Sequence, residues 1–239
     1  MGYQQWVDSC QSCVIRNRAI CASLDESEVA ILNRMGRRVT VERGQTLMWE
    51  GDDSLLVANV IDGVLKLSTS TSDGREQIVG VVYPSDFIGR PFGSTTQHSV
   101  TALSDAKVCL FTRSAFDDFA RTHPELEHKL LQRTLTELDR ARDWMLLLGR
   151  KSAGERVATF LLEMAQRLAG SSCSSKEGAV ERFDLPLSRQ QMADLLGLTI
   201  ETVSRQLTRM RQAGIIDLPD RRAVVILDHD AMEVEAGNG

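Results

Sequence analysis

Residues 187–217 read LSRQQMADLLGLTIETVSRQLTRMRQAGIID. Ser188 stands where it can cap a first helix, RQQMADLLG, which Gly197 ends. Thr199 can cap a second, IETVSRQLTRMRQAG, which stops at Gly214. Ala193 is small at the point where the two would cross, and Leu196, Val203, Leu207 and Met210 fall on the side to be buried. Two helices joined by a three- or four-residue turn containing glycine make a helix-turn-helix. After it, IIDLPDRRAVVILD predicts a β-hairpin around Pro219-Asp220, the wing of a winged helix. The outer face of the second helix carries Glu201, Thr202, Ser204, Arg205, Thr208 and Arg209. Arginine can bond guanine O6 and N7 with two prongs, glutamate accepts from cytosine N4, and serine serves several base edges. The candidate DNA-contacting set is Glu201, Ser204, Arg205, Thr202 and Arg209, with Arg189 and Thr199 beside them. Residues 188–222 hold six arginines against four acids, a local positive patch in a chain of net charge −5.

Working towards the N-terminus, residues 170–180 (GSSCSSKEGAV) form a Ser/Gly-rich stretch that predicts an exposed loop, with Cys173 as a surface thiol. Residues 152–169 predict an amphipathic helix. Residues 123–151 predict a long one, with Pro124 in its first turn. Its Leu131, Leu138 and Met145 are seven apart, and Thr134, Ala141 and Leu148 make a second heptad row. Read as a coiled-coil seam, the helix would pair two chains through Leu131, Leu138, Ala141, Met145 and Leu148; otherwise it packs on its own domain. Small residues in the middle, with Asp139 and Asp143 at the border, make that pairing marginal.

From Val39 to Thr112 short β-rich runs recur: RRVTVERG, LLVANVIDGVLKLSTS, EQIVGVVY, HSVTAL and AKVCLFT. Their spacing predicts a β-sandwich or barrel, with a hairpin turning at Asp73-Gly74. SLDESEVAILNRMG (23–36) and SAFDDFA (114–120) predict helices. The fold class is α+β, with an N-terminal β-roll joined by a long dimerisation helix to a C-terminal winged helix-turn-helix. The expected divisions are a loop over 1–22, a sensory β-roll over 23–122, the dimerisation helix over 123–150 and the DNA-binding domain over 151–239.

Composition narrows the function. No apolar run approaches a membrane span, and the N-terminus lacks the basic and apolar regions of a signal peptide. Trp6 occupies the position where a myristoylation signal wants Ser or Thr, so a cytoplasmic protein is expected. His98, His123, His128 and His229 are scattered, and no catalytic constellation or phosphate-cradling loop is visible, which argues against an enzyme. Three of the five cysteines crowd into DSCQSCVIRNRAIC: Cys10, Cys13 and Cys21. In a reducing compartment such a cluster points to metal binding or redox sensing. Clustered soft thiolates suit an iron–sulfur cluster or zinc. A disulfide-based redox sensor is a further alternative.

A β-roll, a long helix and a C-terminal winged helix, in that order, resemble the CRP/FNR superfamily of transcription regulators. ETVSR (201–205) resembles the E-x-x-S-R signature of the FNR branch, and DGREQIVGVVYPSDFIG resembles its β-roll core. The resemblance implies a cupin-like roll of cyclic-nucleotide-binding type. It also implies a dimer reading a TTGAT-N4-ATCAA palindrome through Glu201, Ser204 and Arg205, and contact with RNA polymerase near residues 74–90. It further implies that Cys10, Cys13, Cys21 and Cys109 ligate a 4Fe-4S cluster that senses oxygen. The C-x2-C-x7-C spacing is similar to the FnrL/FnrN subgroup. The cyclic-AMP receptors of the superfamily carry a Gly-Glu-Leu segment and a later phosphate-binding Arg. DFIGRPFGSTTQHSVTALSDA lacks both: Thr96 or a neighbour takes the Arg position, and Arg90 is too early. No cyclic nucleotide is therefore expected. His98 alone makes no haem site.

Overall fold

The computed structural model describes Cys10, residues 12–169 and residues 181–238, and Cys173 lies outside the described residues. The chain divides into two compact units, Met1–Asp139 and Arg140–Gly239.

In the first unit, α1 (Glu26–Met35) begins at a complete capping box. The Asp25 carboxylate accepts from the Glu28 amide at 2.8 Å, and the Glu28 carboxylate accepts from the Asp25 amide at 2.8 Å. Eight strands follow: β1 (Arg37–Val41), β2 (Thr46–Met48), β3 (Leu56–Asp62), β4 (Leu65–Ser70), β5 (Glu76–Val82), β6 (Phe87–Gly89), β7 (Ser99–Ala102) and β8 (Ala106–Thr112). They form two four-stranded sheets, ordered β1-β8-β3-β6 and β2-β7-β4-β5, with antiparallel pairing. The expected β-roll is present, and β4 and β5 turn at Asp73-Gly74, where Gly74 has φ +84°. Strands β2 and β6, three residues each, escape the sequence reading because so short a run shows no alternation. Helices α2 (Arg113–Arg121) and α3 (Pro124–Arg150) close the series.

Side-chain parity along β3 and β8 sorts the core. Ala58, Val60, Val108 and Leu110 point into the roll with Val41, Leu65, Val82 and Val100. Val57 and Phe111 face the other way and pack with Leu32, Phe116, Phe119 and Leu126 beneath the helices. Strands buried on both faces read as continuous apolar runs, which is why LVANVI shows no clean alternation. Gly36 ends α1 against this second cluster. A Cβ there would stand 2.5 Å from the Phe111 ring, so only glycine allows the helix end to approach so closely.

In the second unit, α4 (Ala153–Ala169), β9 (Glu181–Asp184), α5 (Arg189–Leu196), α6 (Ile200–Gln212), β10 (Ile216–Asp217), β11 (Ala223–Ile226) and α7 (His229–Glu235) surround one core. Phe160, Leu161, Met164, Met192, Ala193, Leu196, Val203, Leu207 and Met210 are all buried. The wing pairs Ile216 with Ile226 and Asp217 with Val225. β9 joins it through Phe183–Val224, making a three-stranded sheet ordered β10-β11-β9. The four-residue β9 and seven-residue α7 add to the sequence expectation, since each is too short to show periodicity alone.

Candidate functional site

The recognition element is built by local chemistry. Ser188 caps α5 with a box closed by Gln191, whose side chain accepts from the Ser188 amide at 2.8 Å. Gly197 ends α5 in the left-handed region (φ +62°), and the Leu198 amide bonds back to the Ala193 carbonyl at 3.0 Å. Thr199 then caps α6 by accepting from the Thr202 amide at 3.3 Å. The turn is therefore fixed on both sides, and α6 offers Glu201 and Arg205 to solvent. The Glu201 carboxyl is held below its usual range by its own backbone N–H and the Thr199 hydroxyl, which keeps it an acceptor. Ser204 is half-buried, and its hydroxyl accepts from Arg189 at 3.4 Å, so these two share one edge of the helix. Arg209 is committed within the domain: it pairs with Glu235 of α7 and donates to Gln206 at 3.0 Å. Its Nη1 face remains open to solvent beside Glu235.

Four cysteines meet on the outer face of the first sheet. β8 places Cys109 opposite Arg38 of β1 and Asn59 of β3, on the face away from the roll interior. The N-terminal segment folds over that face as successive turns, with Arg16 N bonded to Cys13 O at 3.0 Å and Ala19 N to Ile15 O at 2.8 Å. Buried Ile15 and Ala19 hold it against Ile61, and buried Ile20 belongs to the cluster beneath the helices. Cys10, Cys13, Cys21 and Cys109 thereby line a single cavity of about 30 Å³, with Ile15, Leu32, Ile61 and Phe111 among its apolar walls. The cysteines are unbridged. Among the described residues no three Cys, His, Asp or Glu side chains are gathered closely enough to hold one metal ion. The Cys10 thiol donates to Asn33 Oδ1 at 3.1 Å, and the Cys21 thiol lies 3.9 Å from the Arg16 carbonyl.

Burial, followed by the neighbouring thiols, pushes Cys109 up to about 12 and Cys21 up to about 11. At neutral pH both are protonated, and so poor nucleophiles and poor partners in disulfide exchange. A cation at their centre would reverse that, because metal ligation deprotonates thiols outright. Two polar atoms on the same cavity, Arg16 Nη1 and Asn59 Oδ1, are buried with no hydrogen-bond partner. Such orphans are costly unless a ligand completes them. The four thiols and the unmet Arg16 donor fit an anionic, sulfur-ligated centre, whereas Asn59 Oδ1, an acceptor, finds no partner in one.

On α3, Leu131, Leu135 and Leu138 are about half exposed in the first unit. Met145 (73 %) and Leu146 (59 %) are exposed in the second, whereas Leu147 is buried. Of the expected pairing residues, Leu131, Leu138, Ala141 and Met145 are exposed. Leu148 is half-buried, and its carbonyl accepts from Arg156 at 2.7 Å.

Comparison with known proteins matches a Crp-like helix-turn-helix domain over residues 155–234 and a cyclic nucleotide-binding domain over residues 38–123. The chain is 43 % identical to the transcriptional activator protein FnrL of Cereibacter sphaeroides, covering 96 % of this chain and 92 % of that protein. It is 41 % identical to the nitrogen fixation regulation protein FixK of Bradyrhizobium diazoefficiens, covering 87 % of this chain and 85 % of that one. The chain belongs to the CRP/FNR family of transcription regulators. Among solved structures, FixK2 of Bradyrhizobium japonicum superposes with a TM-score of 0.75 at 34 % identity, covering 83 % of this chain and 96 % of that one.

Like its CRP/FNR relatives, the protein is a DNA-binding transcription regulator and not an enzyme. Among the described residues no helix is long and apolar enough to cross a membrane. Sequence reasoning placed the four cysteines and the recognition helix. It missed Arg16, Asn33 and Asn59 around the cysteine cavity. It also missed Arg133 of α3, which donates to the Arg18 carbonyl in the cysteine segment and faces Asp86 at 3.7 Å. Asn59 alone left a signal, a polar residue inside the otherwise apolar run LVANVI.

Proposed function

We propose that this regulator is an oxygen-responsive cytoplasmic homodimer. In this reading Cys10, Cys13, Cys21 and Cys109 hold a 4Fe-4S cluster, and α6 reads a TTGAT-N4-ATCAA-type palindrome to control anaerobic gene expression. The observation that carries it is the convergence of four cysteines, three from the N-terminal turns and one from β8, on one cavity that Arg16, with its unmet buried donor, also lines. The cluster, when bound, supplies an oxygen-labile cross-link between the N-terminal segment and the sheet. The raised Cys21 and Cys109 thiols disfavour a disulfide sensor built on those two.

The chain's own residues give the rest. Cys109 is fixed by β-pairing, so the N-terminal turns are the part that can dock or lift. Arg133 ties the docked turns to α3 through the Arg18 carbonyl and Asp86. A docked segment therefore steadies the helix that carries the exposed Leu131, Leu135 and Leu138. Pairing of two such helices would set two α6 helices about 34 Å apart, one DNA turn. Arg205 and Glu201 then face guanine and cytosine edges, with Ser204 beside them. When the segment lifts, pairing weakens and one of two linked half-site contacts is lost, which costs on the order of 10²–10⁴ in affinity. RNA polymerase is assigned to the β-roll surface near residues 74–90, and no cyclic nucleotide takes part.

Protein purified without air should contain iron and acid-labile sulfide in equal amounts and should bind operator DNA tightly until air is admitted. Absence of sulfide, combined with equal operator affinity under argon and in air, would refute the reading. Zinc in place of iron and sulfide would move the site to a structural role.

A further inference from the structure

We infer that Arg16 is a cofactor-contacting residue: its guanidinium supplies positive charge and a hydrogen-bond donor to the centre held by the four cysteines, and so sets that centre's reduction potential. The inference rests on the cluster reading above. Within the segment between Cys13 and Cys21, Asn17 and Arg18 point to solvent, while Arg16 turns inward and lines the cavity. Its Nη1 is buried and makes no hydrogen bond. Leaving a buried donor unmet costs about 1–3 kcal/mol, more when it is charged. A segment needing only to pack there would place an apolar side chain at this position, as it does at Ile15 and Ala19. The cost is recovered if the cavity holds an acceptor.

The charge around the cavity has the same sense. Arg38 of β1, opposite Cys109 and on the same face of the sheet, also lines it, and among the described lining residues there is no carboxylate. Four thiolates on a dicationic iron–sulfur core make a dianion. Arg16 and Arg38, with no acid among the described lining residues, complement that charge, and a guanidinium N–H can donate to a sulfide or thiolate sulfur. One-electron reduction of the core raises the negative charge further, with no bond made and no proton moved. A cation at Arg16 stabilises the reduced form more than the oxidised one, and its removal lowers the potential.

The test uses full-length protein loaded anaerobically as wild type, Arg16→Gln and Arg16→Lys. Iron and sulfide are assayed in each, and the midpoint potential is measured by mediated titration with dithionite. Arg16→Gln should shift the reduction equilibrium about tenfold against reduction, roughly 59 mV for one electron, and Arg16→Lys should restore most of it. Should Arg16→Gln fail to load while Arg16→Lys loads, the same conclusion holds, because charge at this point is then required. Equal potentials in all three proteins would overturn the inference, as would equal loss of cluster in both variants, which would mean shape rather than charge. Wild type without sulfide fails the cluster reading itself, and the inference with it; wild type with sulfide and an unmoved potential fails only the inference.

Discussion

Arg133→Ala isolates the link between the cysteine segment and the pairing helix. Arg133 is mostly buried, with 26 % of its side chain exposed, and it makes two contacts beyond its own helix. The first is a charge-assisted hydrogen bond to the Arg18 carbonyl, a class worth about 1.5–3 kcal/mol. The second is an ion pair with Asp86 at 3.7 Å, too long for an ideal bridge and worth at most about 1 kcal/mol. Truncation leaves neither partner stranded: Asp86 still accepts from the Tyr83 amide at 3.0 Å, and the exposed Arg18 can turn its carbonyl to water. The net loss is therefore set near the low end, about 2 kcal/mol, or about thirtyfold in an equilibrium constant. Linkage limits what the segment can transmit by this route to the same amount. Loaded Arg133→Ala should dimerise, and bind operator at dilute protein, about tenfold to thirtyfold more weakly than loaded wild type. The cluster-free proteins should not differ. Sedimentation under argon, with iron and sulfide measured on the same samples, reads both numbers. A variant with wild-type cluster content and the full gain in dimer affinity on loading would refute the route.

Two further outcomes can be checked independently. Arg205→Ala should weaken operator binding by about 1–3 kcal/mol and relax preference at one base pair per half-site; binding to a panel of single-base operator variants measures it, and a uniform loss across the panel would reassign Arg205 to phosphate. The cluster-free protein should lose stability as pH rises from about 9 towards 11 and 12. The Cys21 and Cys109 thiols, with ordinary values near 9.0, are raised by folding, so the unfolded chain releases their protons first and alkaline pH favours it. Thermal unfolding at pH 8 and pH 10 checks this, and the slope should flatten in a Cys21→Ser/Cys109→Ser double variant.

What the sequence discloses depends on how far apart the interacting residues lie. The helix-turn-helix was legible because its signals are local: Ser188 with Gln191, Gly197 in the left-handed turn, Thr199 on Thr202. The roll was legible as a class from turn spacing, while β2 and β6 were not, since pairing rather than pattern makes them strands. Cys109 could be tied to the N-terminal cysteines only through the family resemblance, because nothing in AKVCLFT says which face of the sheet the segment will cover. Arg16 and Arg133 were invisible for a related reason. An arginine reads as solvated until its surroundings are known, and both acquire their contacts from segments remote in the sequence.

The two halves of the cysteine site are held with unequal strength, an asymmetry that suits the proposed sensor. Cys109 sits mid-strand in β8, hydrogen-bonded between β1 and β3, with Val108 and Leu110 in the roll core on either side. A slip of one residue would turn the cysteine inward and those two outward, so its position is enforced by the whole domain. The N-terminal ligands have no such enforcement. Their segment is anchored by Ile15, Ala19 and Ile20. Burial contributes about 1.5–3 kcal/mol for each isoleucine, against an ordering cost of about 1–2 kcal/mol for every residue fixed. Those anchors are few, and in the proposed reading the Arg133 contact and the cysteine centre add to them. On that proposal, loss of the centre would be felt first in the N-terminal turns and next at α3, while the sheet beneath stays as it was.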